Sequence, residues 1–270
     1  MKNFNFKYLL ITIVTMILAM IIPDFIVHHF IPNALLEPII QIIILTISVF
    51  VFGQKKVFAF SFKSFFETLV VGGALTIGTA YYLITRLFKG ILEYGPSAFD
   101  RNAVIGFLIS MFLMAGIREE LLTRGFLCTF LKKTFGNTKA SYIAAITISS
   151  VFFGLIHLSN LQSGNEPVVI YCQVIYAIGF GFFLGALYIR TGNLWANMIL
   201  HYLFDISIMF CPILIENMGL DGIIRSWLGE GILIKSIIFT VVCFALELFL
   251  LRDSKLNPIL EAAEKEEMAA

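Results

Sequence analysis

Residues 168–189 read VVIYCQVIYAIGFGFFLGALYI, twenty-two positions without one Asp, Glu, Lys or Arg. A helix needs about 20 mostly apolar residues to cross a bilayer. This stretch is therefore read as a transmembrane helix, with lipid as its solvent. Seven more stretches of similar length lie around it, at 8–28, 33–53, 66–86, 103–125, 140–158, 195–215 and 232–251. The whole chain agrees with that reading. Its 270 residues are 59% hydrophobic and only 14% charged, with a mean hydropathy of +0.91. Ordinary soluble domains carry about 25% charged residues, so this chain lacks the charge to cover a water-facing surface. The expected fold is all-α, a polytopic membrane bundle of about eight transmembrane helices.

Several function classes drop out on composition. The net charge is +1 and no basic patch is present, so nucleic acid is not an expected partner. The lipid bilayer is. Cys128, Cys172, Cys211 and Cys243 fall in or beside apolar runs without CxxC spacing. They read as small buried hydrophobes rather than a disulfide framework or zinc cluster. MKNFNFK followed by an apolar run resembles a signal peptide, but no small-x-small cleavage site follows. It is read as a retained first helix.

Lys and Arg set the expected orientation. With eight alternating helices and a cytoplasmic N-terminus, one side holds Lys2, Lys7, Lys55, Lys56, Lys63, Lys132, Lys133, Lys139, Arg190, Arg252, Lys255 and Lys265. The other holds Arg86, Lys89, Arg101, Arg225 and Lys235. The bias places both termini in the cytoplasm. Residues 54–65, QKKVFAFSFKSF, suit either an interfacial helix or a plain basic loop. The tail 252–270 reads as a short helix or a frayed end. No repeat or second domain is evident. The chain divides into N-terminal helices with an interfacial segment (1–102), a polar-bearing core (103–206) and a C-terminal span with its tail (207–270).

Ionisable groups are costly in a membrane and so mark candidate functional positions, and three clusters of them stand out. The first group is Arg118-Glu119-Glu120-Leu121-Leu122-Thr123-Arg124. At about 100° per helical residue, Glu120 and Arg124 share a face in the favourable acidic-before-basic order. Glu119 points away from Arg124. One glutamate is thus held as a structural ion, and the other is left for chemistry. A poorly solvated carboxyl beside a like charge suits a general base working near neutral pH. The second group is Ser149-x-x-x-Phe153-x-x-x-His157, one stripe of a helix. The third is Trp195 followed by His201-Tyr202-Leu203-Phe204-Asp205, in which Asp205 is placed to fix the tautomer of His201. Taken singly, the groups also suit a helix end, an interfacial histidine and a structural His–Asp pair. Taken together, they supply polar side chains that satisfy one another if the helices converge. Such a set can activate water and stabilise an oxyanion.

Glu119-Glu120-x-x-x-Arg124, Phe153-x-x-x-His157 and His201-x-x-x-Asp205, in that order on separate apolar helices, resemble the three motifs of the CAAX protease and bacteriocin-processing family. The resemblance spans about residues 103–206. It implies an intramembrane endopeptidase whose site lies in a water-filled cavity within a helical bundle. It assigns Glu119 as the catalytic glutamate, helped by His157 in activating water. His201 and residue 205 become the oxyanion pair, and Glu120, Arg124 and Phe153 support them. The family usually has asparagine at the last position. Asp205 either donates as a protonated acid or only orients His201, because an ionised carboxylate has no hydrogen to give. Glu119, His157, His201 and Asp205 are chemically able to bind zinc, but there is no HExxH and the resemblance favours a metal-free site. The implied substrate is a membrane-associated peptide or protein, and the expected location is a bacterial cell membrane. A non-catalytic scaffold or bacteriocin self-immunity protein of the same fold is the second reading. A proton-coupled transporter is the third, with no paired repeat to favour it.

One expectation conflicts with another. The eight-span topology puts Glu119 and His201 in the inner half of the membrane and His157 near its outer face. The motifs require them to meet. Convergence calls for a fifth helix that starts below the membrane, a long tilted fourth helix, or a re-entrant segment over 121–139.

Overall fold

The computed structural model describes residues 4–30 and 35–269, and every regular element among them is helical. Helix α1 is Phe6–His29, capped by the Asn5 side chain, which accepts the Tyr8 N–H. Helices α2 (Leu36–Val51), α3 (Phe62–Val71) and α4 (Gly73–Tyr94) follow, with a 3₁₀ turn at Lys55–Phe58. Residues 101–135 then form one long helix. It begins as α5 (Arg101–Met111), widens into π-helical turns over Phe112–Glu119 and Leu121–Cys128, and ends as α6 (Thr129–Phe135). Helix α7 (Lys139–Ile156) continues into a 3₁₀ segment, His157–Ser163. The remaining helices are α8 (Pro167–Thr191), α9 (Leu194–Leu214), α10 (Leu220–Leu228), α11 (Ile232–Leu250) and α12 (Asp253–Ala269).

Five of these helical stretches are long and apolar enough to cross a membrane, and the bent pair α3–α4 makes a sixth if counted as one span. This is an integral membrane protein with an all-α bundle. The count differs from the expected eight for local reasons. Helix α2 has 16 residues, about 24 Å at 1.5 Å per residue, short of a bilayer core of about 30 Å. The expected straight span at 66–86 breaks at Gly72–Gly73, where Gly73 adopts φ +27°. The expected span at 103–125 does not end there but runs on to Phe135.

Burial is inverted relative to a soluble bundle. Helix α1 turns Thr12, Thr15, Ala19 and Pro23 inward, while Ile13, Ile17 and Ile21 are exposed. Helix α11 likewise buries Ser236, Cys243 and Glu247 and exposes Ile234, Ile238 and Val241. Lipid solvates the large side chains, so small and polar residues take the helix–helix contacts. Helix α8 is buried along most of its length and forms the centre of the bundle. Its glycines permit that. A Cβ at Gly179 would lie 2.5 Å from Thr240 Cα on α11, and one at Gly181 would lie 2.9 Å from Ser150 Cα on α7. From α7, a Cβ at Gly154 would lie 2.8 Å from the Val174 carbonyl oxygen. The four cysteines are buried and unpaired. The expected interfacial segment is the short 3₁₀ turn, fastened by the Trp195 indole N–H, which donates to the Phe58 carbonyl at 3.1 Å. The C-terminal tail is helical as α12.

Candidate active site

The long helix 101–135 places the first motif near its midpoint, inside the π-helical turns. Such turns are rare and appear frequently at functional sites. Threonine hydroxyls bond back to the helix carbonyls here. Thr123 Oγ1 donates to the Glu119 carbonyl at 2.6 Å, and Thr129 Oγ1 donates to the Arg124 carbonyl at 2.9 Å. Composition contains no sign of this widening, and it lies outside the sequence expectation.

The two glutamates separate as their spacing suggests. Glu120 is fully buried and its Oε1 lies 2.6 Å from Arg124 Nη1. Arg124 is 1% exposed and is satisfied on several sides. It donates to Thr123 Oγ1 at 2.9 Å and to the Gly181 carbonyl at 3.2 Å, and its guanidinium stands 4.8 Å above the Phe153 ring. Phe153 therefore serves as a packing surface for the ion pair and for both histidine rings, at 5.3 Å from His157 and 5.6 Å from His201. Glu119 turns the other way and lines a cavity of about 450 Å³.

His201, on α9, is held from behind. Its Nδ1 donates to Glu120 Oε1 at 2.8 Å, because a carboxylate only accepts. Phe180 packs edge-on at 5.1 Å. This corrects the expectation for Asp205. Glu120, not Asp205, orients the ring, and Asp205 Oδ2 stands 3.8 Å from the other nitrogen, Nε2. The i, i+4 spacing does bring the two side chains to one face, but the hydrogen bond comes from a residue 81 positions earlier, which spacing cannot reveal. Glu119 Oε2 lies 3.9 Å from the same Nε2.

His157 caps the end of α7, and its side chain lines the same cavity as Glu119, His201 and Asp205. The conflict over depth resolves through the long fourth helix. Glu119 sits near the middle of residues 101–135 rather than at an end, and it lines one cavity with His157 at the end of α7. No re-entrant loop is needed over 121–139.

Other residues belong to this site and went unmarked in the sequence. Asn197 donates to the Leu184 carbonyl at 2.7 Å and stands 3.5 Å from Glu120 Oε2, bracing the buried carboxylate. The stripe Asn197-x-x-x-His201-x-x-x-Asp205 was a readable signal for it. Glu37 and Gln41 of α2 reach the cavity wall, as do Asn160 and Gln173, which are joined at 2.9 Å. Arg118 also lines the cavity, with Nη2 3.4 Å from Glu119 Oε1.

A carboxylate beside a water-accessible cavity, two imidazoles and a cation can deprotonate water and stabilise charge on a carbonyl oxygen. Among the described residues, no group of three or more His, Cys, Asp or Glu side chains is arranged to hold a metal ion.

Comparison with known proteins gives one family. Residues 101–207 match the family model for type II CAAX prenyl endopeptidases, Rce1-like. The match covers the long helix through most of α9 and contains all three motifs. No curated protein matches the chain.

Proposed function

We propose that this protein, whose residues 101–207 match the type II CAAX prenyl endopeptidases, is an intramembrane endopeptidase that hydrolyses a peptide bond in a membrane-associated peptide or protein. The observation that carries this reading is the convergence of Glu119, His157, His201 and Asp205, from three separate helices, on one cavity inside a membrane bundle. Its volume, about 450 Å³, lies within the range of pockets that enclose small ligands, about 300–1,000 Å³, and suits a short stretch of extended peptide.

In this reaction Glu119 takes a proton from water, and His157 orients that water from the other wall. The water oxygen attacks the scissile carbonyl carbon, and the carbonyl π electrons move to oxygen. His201 donates to that oxygen through Nε2–H, which requires the doubly protonated ring because Nδ1–H is already given to Glu120. Collapse of the tetrahedral intermediate breaks the C–N bond, and Glu119 returns its proton to the leaving amine. No step uses a metal. Asp205 keeps the mouth of the site polar and borders His201 without orienting it.

The test is cleavage of a library of membrane-anchored peptides in detergent, containing both lipidated C-terminal CAAX peptides and bacterial leader peptides. Wild type, Glu119→Ala and His157→Ala are compared with and without a strong chelator. The expected result is cutting by wild type only, with the chelator harmless. Chelator inhibition reversed by zinc would overturn the metal-free mechanism. Cutting that survives Glu119→Ala would overturn the protease site, and a non-catalytic scaffold of the same fold would then fit better.

A further inference from the structure

The reaction needs hydrogen-bond donors where negative charge develops, and the oxyanion pair that the resemblance implies lacks one of its two. Asp205 stands where the family resemblance expects asparagine, and as a carboxylate it accepts only. Glu37, Glu119 and Asp205 all line the cavity, and among the described residues Arg118 is the one arginine or lysine that does. Developing negative charge there would meet like charge on several sides.

Arg118 and Arg124 are six residues apart and differ in commitment. Arg124 is buried, with its guanidinium bonded to Glu120, Thr123 and Gly181 and stacked on Phe153. Arg118 makes one long contact, Nη2 to Glu119 Oε1 at 3.4 Å, and its side chain is 17% exposed. Its Nε–H is buried without a hydrogen-bond partner among the described residues. A buried N–H without a partner is a donor already stripped of water, and it belongs to a side chain that lines the cavity. The long side chain reaches from the position next to Glu119, the residue that handles the proton. Water and carbonyl are therefore activated from adjacent positions on one helix.

Resting on the protease reading, we propose that Arg118 is a catalytic residue: its guanidinium donates to the scissile carbonyl oxygen and stabilises the charge that develops there, supplying the donor that Asp205 lacks. The guanidinium leaves Glu119 as it engages the substrate oxygen. That frees the carboxylate to take the water proton as the carbonyl electrons move onto oxygen beside Arg118. When the C–N bond breaks, those electrons return to the carbonyl, the proton on Glu119 passes to the amine, and Arg118 falls back to Glu119.

The test uses full-length protein in detergent and a peptide that the wild type cuts. Removing one donor of this kind lowers kcat by about 100- to 1,000-fold. Arg118→Gln should lose about 100-fold in kcat with KM little changed, and Arg118→Lys should fall between it and wild type. Adding Asp205→Asn to Arg118→Gln should recover at least about tenfold, because asparagine restores an N–H donor. A second measurement compares binding of two probes to folded protein. One is the phosphinate analogue of the cut peptide, whose tetrahedral anion resembles the intermediate. The other is an uncleavable ground-state analogue. Arg118→Gln should weaken the first by tenfold or more and leave the second within about twofold. Equal weakening of both would make Arg118 merely structural, and absence of rescue by Asp205→Asn would also overturn the proposal. If wild type cuts and Glu119→Ala does not, yet Arg118→Gln keeps its kcat, only this inference falls. If wild type cuts nothing, the protease reading falls and takes this inference with it.

Discussion

Replacing Arg124 with methionine should destabilise this protein more than any other single change in the site. The side chain is 1% exposed, and its Nη1 lies 2.6 Å from a Glu120 carboxylate that has no exposure at all. Arg124→Met fills much of the same volume but strands Glu120 as a buried charge, which costs about 3–5 kcal/mol when one partner of a buried pair is removed. The Gly181 carbonyl, which now accepts at 3.2 Å, loses a donor and adds about 1 kcal/mol. His201 and Asn197 still face Glu120 at 2.8 and 3.5 Å, so the loss should sit toward the lower end of that range. The second variant separates charge from packing. Adding Glu120→Gln removes the stranded charge while keeping an oxygen for the Nδ1–H of His201. The double variant should therefore recover at least about 2 kcal/mol of the single variant's loss, since taking both charges out of a buried pair is often close to neutral. The assay is unfolding by SDS titration in mixed micelles, read by tryptophan fluorescence, with wild type, both single variants and the double variant completing a cycle. A loss below about 1 kcal/mol for Arg124→Met, or a double variant less stable than Arg124→Met alone, would refute the claim that this ion pair is one buried unit.

Three further variants test how the bundle packs. Glu247 is fully buried on α11 and neither carboxylate oxygen has a hydrogen-bond partner among the described residues, so Glu247→Met should stabilise the protein by about 1–3 kcal/mol in the same titration. A loss of stability would mean that the carboxyl is engaged after all. Gly179→Ala puts a Cβ 2.5 Å from Thr240 Cα and should cost about 1–3 kcal/mol by forcing α8 from α11. Gly106→Ala, with nothing within 4 Å, should cost nothing, and equal losses at both sites would remove the close-packing argument.

Much of this site was legible because short-range periodicity survives in helices. Glu120 and Arg124 were placed on one face and Glu119 on another by counting residues, and the structure places them so, even though the turns there are π rather than α. The ordered motifs on separate apolar helices led to the expectation that 103–206 resembles the CAAX proteases, and the family match covers 101–207. The features missed are those set by partners far along the chain. The bond from His201 to Glu120 crosses 81 positions, while the local i, i+4 rule pointed to Asp205. Helix ends were misread for a related reason. Hydropathy marks the polar run Arg118–Arg124 as an exit from the membrane, yet those groups pair internally and with α8 and α9, so the helix continues to Phe135. At Gly72–Gly73 the error ran the other way. Apolar composition looked continuous where the backbone bends.

The same pairing explains how a bundle surrounded by lipid tolerates a hydrolytic site. The ionised groups packed directly behind the cavity are satisfied by protein: Glu120 by Arg124 and His201, and Arg124 by Thr123 and Gly181 as well. Such a lattice does little for net stability, because desolvating two ions offsets most of their attraction. Its effect is geometric. Both ends of the His201 ring are constrained, Nδ1 by Glu120 and the faces by Phe153 and Phe180, so Nε2 points into the cavity without a bond to either carboxylate there. Arg118, next to the lattice but outside it, keeps an Nε–H without a partner among the described residues. A buried donor left unpaired costs free energy, and it persists here beside side chains that the lattice holds in place. That accounts for a fully buried ion pair standing directly beside the residues proposed to do the chemistry.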